Sequence, residues 1–162
     1  MPYGVVLVFV HGFRGRAEQT FGAYPARLRH LVRETHPGVP VEAVIYPTYE
    51  TRGSLGDAVD ALVAWLAALV AERESTHGHR FCVVLCGHSM GGMIAARYTQ
   101  RHPETLTATV LSGPVLGSWE PTALADLDEI PPTPIDITTL SRDPDVGRAY
   151  EADELVWHGD FT

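Results

Sequence analysis

The sequence predicts an α/β domain whose parallel sheet of about four strands carries helices on both faces. Three observations lead there. Apolar, β-branched runs alternate with helically spaced stretches through the first 112 residues, and a β-α-β-α-β-α-β order implies parallel pairing. The first run, Val5-Val6-Leu7-Val8-Phe9-Val10, is continuously apolar, as in a strand covered on both faces. The length of 162 residues suits one domain with a substantial core.

After that first strand, Phe21, Tyr24, Leu28, Leu31 and Val32 recur at spacings of three and four, the signature of an amphipathic helix, with Thr20 as its expected N-cap. His36-Pro37-Gly38 ends it. Val39 to Tyr46 reads as the second strand, closed by Pro47. Ser54 then opens the clearest helix, with Leu55, Val59, Leu62, Val63, Leu66, Leu69 and Val70 in one stripe and Asp57 placed as in a capping box. His77-Gly78-His79 breaks it. Phe81 to Cys86 is the third strand, Met90 to about Arg101 the next helix, and Leu106 to Leu111 the fourth strand. Beyond Gly113-Pro114 the chain becomes acidic and proline-rich, with short helices expected at Asp126–Ile130 and Asp145–Val156. It reads as an irregular excursion over one sheet edge rather than a second domain.

Apolar residues make up 45% and charged residues 20%, an ordinary globular composition. All 12 basic residues are arginine, and none cluster into a phosphate-binding stripe. The net charge of −8 is uneven: residues 1–116 carry +1, residues 117–162 carry −9. That distribution argues against nucleic acid or anionic membrane as partners, and reads as a solvated acidic face. Cys82 and Cys86 share a strand face about 13 Å apart, beyond the roughly 7 Å between Cα atoms that a disulfide tolerates. Two small buried thiols fit a reducing, cytoplasmic setting. No basic segment precedes the first strand, so no signal peptide is expected, and no apolar run reaches membrane-spanning length.

The chemistry gathers at Gly87-His88-Ser89-Met90-Gly91-Gly92, between the third strand and the following helix. A G-x-S-x-G turn in that setting is a nucleophile elbow: Gly87 and Gly91 leave room for a tight bend, and Ser89 is presented at the C-terminal edge of the sheet. The helix start supplies free backbone N–H groups and a positive dipole end. Acyl transfer needs two such donors. Met90 N–H is the first, and Phe13 N–H, in His11-Gly12-Phe13 after the first strand, the second, with Gly12 allowing close approach. His11 reads as a brace for that loop. His88 reads as structural, because its side chain points away from that of Ser89. No His/Cys/Asp cluster has metal-ligand spacing, and no metal or organic cofactor is expected.

Together these motifs resemble the α/β-hydrolase superfamily, and the resemblance covers most of the chain. It implies that the four strands correspond to the third to sixth of that fold, in spatial order 2-1-3-4, without the fold's first and last strands. The topological switch point then falls between strands one and three, where Phe13 and Ser89 emerge. The second half is more narrowly similar to the monoacylglycerol lipase and lysophospholipase branch. The similarity runs from the elbow through Arg97-Tyr98, Arg101-His102-Pro103 and Leu111-Ser112-Gly113-Pro114 to Leu140-Ser141-Arg142-Asp143-Pro144 and Leu155-Val156-Trp157-His158-Gly159. Residues 1–113 are accordingly expected to be a partial hydrolase core and residues 114–162 an incomplete cap. Tyr46-Pro47-Thr48-Tyr49-Glu50-Thr51-Arg52-Gly53 is more similar to other lipase-like hydrolases.

The superfamily's catalytic acid and histidine follow the nucleophile in that order, yet only 73 residues follow Ser89. His102 lies at the wrong end of the sheet. His158, with Asp143, Asp145 or Asp153 behind it, reads as an ordinary cap residue, so no catalytic histidine or acid is assigned. The resemblance implies a serine hydrolase of small apolar carboxylic esters; Trp119, Leu124, Leu127, Ile130, Ile135, Tyr150 and Trp157 would either roof its site or form the packed core of the cap. The alternative is a truncated, catalytically silent fragment. Either way, missing edge strands predict self-association through exposed sheet edges.

Overall fold

The computed structural model describes residues 3–12, 20–47, 54–116, 136–154 and 156. The chain divides into two compact units, Met1–Gly117 and Ser118–Thr162. In the first, strand β1 spans Tyr3–Val10, helix α1 Tyr24–Thr35, β2 Val41–Ile45, α2 Leu55–His77, β3 Arg80–His88, α3 Met90–Arg101 and β4 Ala108–Ser112. The strands form one parallel sheet in the order β2-β1-β3-β4, the expected order. Val5 sits opposite Val41 and Cys82, and His88 opposite Ser112.

Side-chain alternation sorts the strands into two core layers. Val6, Val8 and Val10 of β1, with Val83 and Leu85 of β3, pack against Val59, Leu62 and Leu66 of α2 and Ile94, Ala95 and Tyr98 of α3. Leu7, Phe9, Val41 and Cys86 face the other way, toward Phe21, Leu28 and Val32. Phe9 is fully buried, with the Phe21 ring edge-on at 5.4 Å.

The helix boundaries follow local chemistry. Ser54 caps α2 as expected: its Oγ accepts the Asp57 N–H at 3.1 Å and donates to Asp57 Oδ2 at 2.7 Å. Gly78, at φ 68°, takes the left-handed C-cap position. The expected cap at Thr20 is overturned. Gly22, at φ 47°, turns the chain after Phe21, and α1 starts at Tyr24 with Pro25 in its first turn and no side-chain cap on Ala23. Tyr24 and Leu31 are each 55% exposed, so the buried stripe is narrower than the spacing suggested. The second strand is shorter than expected, trimmed by Pro40 and Pro47, and β4 begins late because Pro103–Thr105 forms a 3-10 turn.

The two sheet edges differ. At β2, the Arg33 guanidinium donates to the Val41 carbonyl at 3.0 Å, and Arg73 pairs with Glu42 at 2.8 Å. The outer side of β4 carries no charged residue, and Val110 and Leu111 are 48% and 39% exposed.

In the second unit, a 3-10 turn at Ile137–Thr139 precedes α4, Pro144–Ala152, which Asp143 caps by accepting the Asp145 N–H at 2.9 Å. The helix expected at Asp126–Ile130 lies outside the described residues. Among the described residues, no helix is long and apolar enough to cross a membrane.

Candidate active site

The turn between β3 and α3 puts Ser89 at φ 54° and ψ −124°, the only non-glycine residue with positive φ among those described. Such a conformation stores strain on the order of 1–3 kcal/mol and persists only when its surroundings over-determine it. They do. A Cβ on Gly87 would lie 2.5 Å from the Gly91 carbonyl oxygen and 2.7 Å from Gly92 Cα. A Cβ on Gly91 would overlap the carbonyl oxygens of both Val10 and His11. The elbow is thus wedged against the end of β1, where only hydrogen atoms fit.

Hydrogen bonds pin the same turn. Ser89 N–H donates to the Ser112 carbonyl at 3.1 Å. The Ser89 carbonyl accepts from Gly92 N–H at 2.9 Å and from Met93 and Val115 N–H at 3.3 Å each. Met90, at the first position of α3, has an N–H with no acceptor inside its own helix. The Ser89 side chain is half-buried and lies over Gly12: a Cβ there would come 3.2 Å from Ser89 Cβ and 3.4 Å from its Oγ. Ser89, Met90, Gly87, Gly91 and Gly12 are therefore gathered at one end of the β1–β3 pair. Phe13, the other expected donor, lies outside the described residues.

His11 is fully buried, with Nδ1 2.9 Å from the Gly12 carbonyl. His88 is exposed, with Nδ1 3.1 Å from the Ser112 carbonyl and 3.3 Å from Ser112 Oγ. His102 caps α3 at the far end of the sheet, beside Tyr98. Asp145 pairs with Arg148, and His158 lies outside the described residues, as do the expected roof residues other than Tyr150. No group of three or more metal-ligating side chains occurs among the described residues. The attachments to Ser112 and Val115 went unread in the sequence, although Leu111-Ser112-Gly113-Pro114 was singled out there.

Beside the elbow is a hollow of about 250 Å³ walled by Phe9, Phe21, Tyr24, Cys86 and Val110, with His88 and Ser112 at its rim. Burial pushes the Cys86 thiol up to about 11, so it stays protonated and non-nucleophilic at neutral pH. Both cysteines are free thiols.

Comparison with known proteins agrees with this geometry. The monoacylglycerol lipase of Mycolicibacterium smegmatis is 38% identical over 86 residues, 47% of this chain and 31% of that protein. The crystal structure of the Paleococcus ferrophilus monoacylglycerol lipase aligns with a TM-score of 0.50 at 26% identity, over 96% of this chain and 62% of that one. Phospholipase PlaB from Legionella pneumophila aligns at 0.53 over 68% of this chain and 25% of its own, at 19% identity, a likeness of fold alone. The chain thus spans about a third of the first relative and less than two thirds of the others. The family described as serine aminopeptidase, S33, matches residues 50–162, so the chain, with its parallel sheet in the α/β-hydrolase strand order, belongs to that family.

Proposed function

We propose that the chain carries the nucleophile of a serine hydrolase acting on carboxylic esters with apolar acyl chains. The observation that carries this reading is the positive φ of Ser89 at a strand-to-helix turn, its hydroxyl over Gly12 and, beside it, the Met90 N–H, which has no acceptor within its own helix. Ser89 Oγ attacks the ester carbonyl, and Met90 and Phe13 N–H groups hold the oxyanion of the tetrahedral intermediate. Collapse expels the alkoxide, which takes up the proton lost from Ser89 Oγ and departs as the alcohol, leaving an acyl-enzyme that water hydrolyses to free acid and regenerated serine. The substrate class is supported by the lipase names of the relatives. Residues 1–113 serve as the catalytic core and residues 114–162 as part of a cap. Treatment with a fluorophosphonate is expected to label one serine per chain, and Ser89→Ala to abolish labelling. Labelling that survives Ser89→Ala would sink the assignment.

A second reading, a catalytically silent piece of such a hydrolase, draws on the 31% coverage of the lipase relative. Well-folded protein that takes up no probe would favour it. The edge of β4, uncharged and without a further strand partner among the described residues, also supports self-association, in which strands of two copies pair. Sedimentation should show a concentration-dependent dimer that Val110→Lys shifts to monomer; a monomer at all concentrations would refute it.

A further inference from the structure

The structure assigns His88 a positioning role: its imidazole holds the Ser112 carbonyl that anchors the backbone of Ser89. Nδ1 of His88 lies 3.1 Å from that carbonyl oxygen. A carbonyl only accepts, so this bond requires the hydrogen on Nδ1, which also faces Ser112 Oγ at 3.3 Å. The same oxygen accepts the Ser89 N–H at 3.1 Å. Both of its lone pairs are thus used by consecutive residues of the elbow, one through a side chain and one through the main chain.

Register makes this possible, because His88 and Ser112 are direct partners across β3 and β4. The strained φ of Ser89 makes it matter. A turn at φ 54° relaxes if its anchor swings, and the Ser112 carbonyl is the acceptor for its N–H. Beyond Ser112, Gly113 at φ 47° lets the chain pivot, so that carbonyl needs a second hold. His88 thus acts on the Ser89 backbone through one shared oxygen.

This role rests on Ser89 being the nucleophile, and the test separates the two. His88→Leu keeps bulk and loses the donor; His88→Asn restores an N–H close to the Nδ1 position. The rate of fluorophosphonate labelling is expected to fall about ten- to a hundredfold in His88→Leu, as for a slightly misplaced reacting group. His88→Asn should recover most of it. Amide hydrogen exchange at Ser89 should quicken in the leucine variant and not in the asparagine one, with melting temperatures close because the ring is exposed. Wild-type labelling matched by His88→Leu overturns the role and leaves the nucleophile standing. Equal impairment in both variants overturns it too, since bulk rather than the donor would then matter. Folded wild type that takes up no probe removes the nucleophile and this role together.

Discussion

A Gly91→Ala variant is expected to lose on the order of 3 kcal/mol of stability, melting roughly 6–12 °C lower. The added methyl group meets the carbonyl oxygens of Val10 and His11, which are main-chain atoms at the buried end of β1. No rotamer change relieves that overlap, so α3 has to retreat from the sheet. Retreat pulls on the bonds from Gly92 and Met93 to the Ser89 carbonyl, and fluorophosphonate labelling should fall with stability. Gly56→Ala is the control. Among the described residues a Cβ there meets only Oγ of the N-cap Ser54, at 3.5 Å, and alanine should be neutral or better by up to about 1 kcal/mol. Thermal melts of both variants decide the matter: an unchanged midpoint for Gly91→Ala would show that the elbow is not wedged as described.

Ser89→Gly is expected to have the opposite sign, raising stability while removing the hydroxyl. Glycine adopts φ 54° without the Cβ penalty, recovering about 1–3 kcal/mol of backbone strain. The more flexible unfolded chain takes back roughly 0.5–1 kcal/mol, leaving a net gain of about 1 kcal/mol, or roughly 2–4 °C in melting temperature. Ser89→Ala keeps the Cβ and should show no such gain. Calorimetry on the pair isolates strain from the lost hydroxyl. A glycine variant no more stable than the alanine variant would mean that the turn holds no appreciable strain.

Most of what builds this sheet is written locally. The Val5–Val10 run, the Ser54–Asp57 cap and the elbow glycines each depend on neighbours within a few residues, and their elements appear where spacing puts them. Failures of the reading have equally local causes. Tyr24 and Leu31 share a helical stripe with Leu28 but lie to one side of the sheet, and periodicity does not say how wide a face the core takes. The start of α1 turned on Gly22 and Pro25, which outweighed the threonine two residues upstream of that glycine. The link from His88 to Ser112 spans 24 residues and exists only through strand register. No helical or strand period carries that information.

The central strand of the sheet is the first one in the chain. β1 pairs with residues 41–45 on one side and 80–87 on the other. A ribosome making this protein therefore releases its greasiest segment long before either mate has been synthesised. Val5–Val10 meets its first mate after about 35 further residues of translation and its second only after about 77, so nascent chains of intermediate length leave one side of it unpaired.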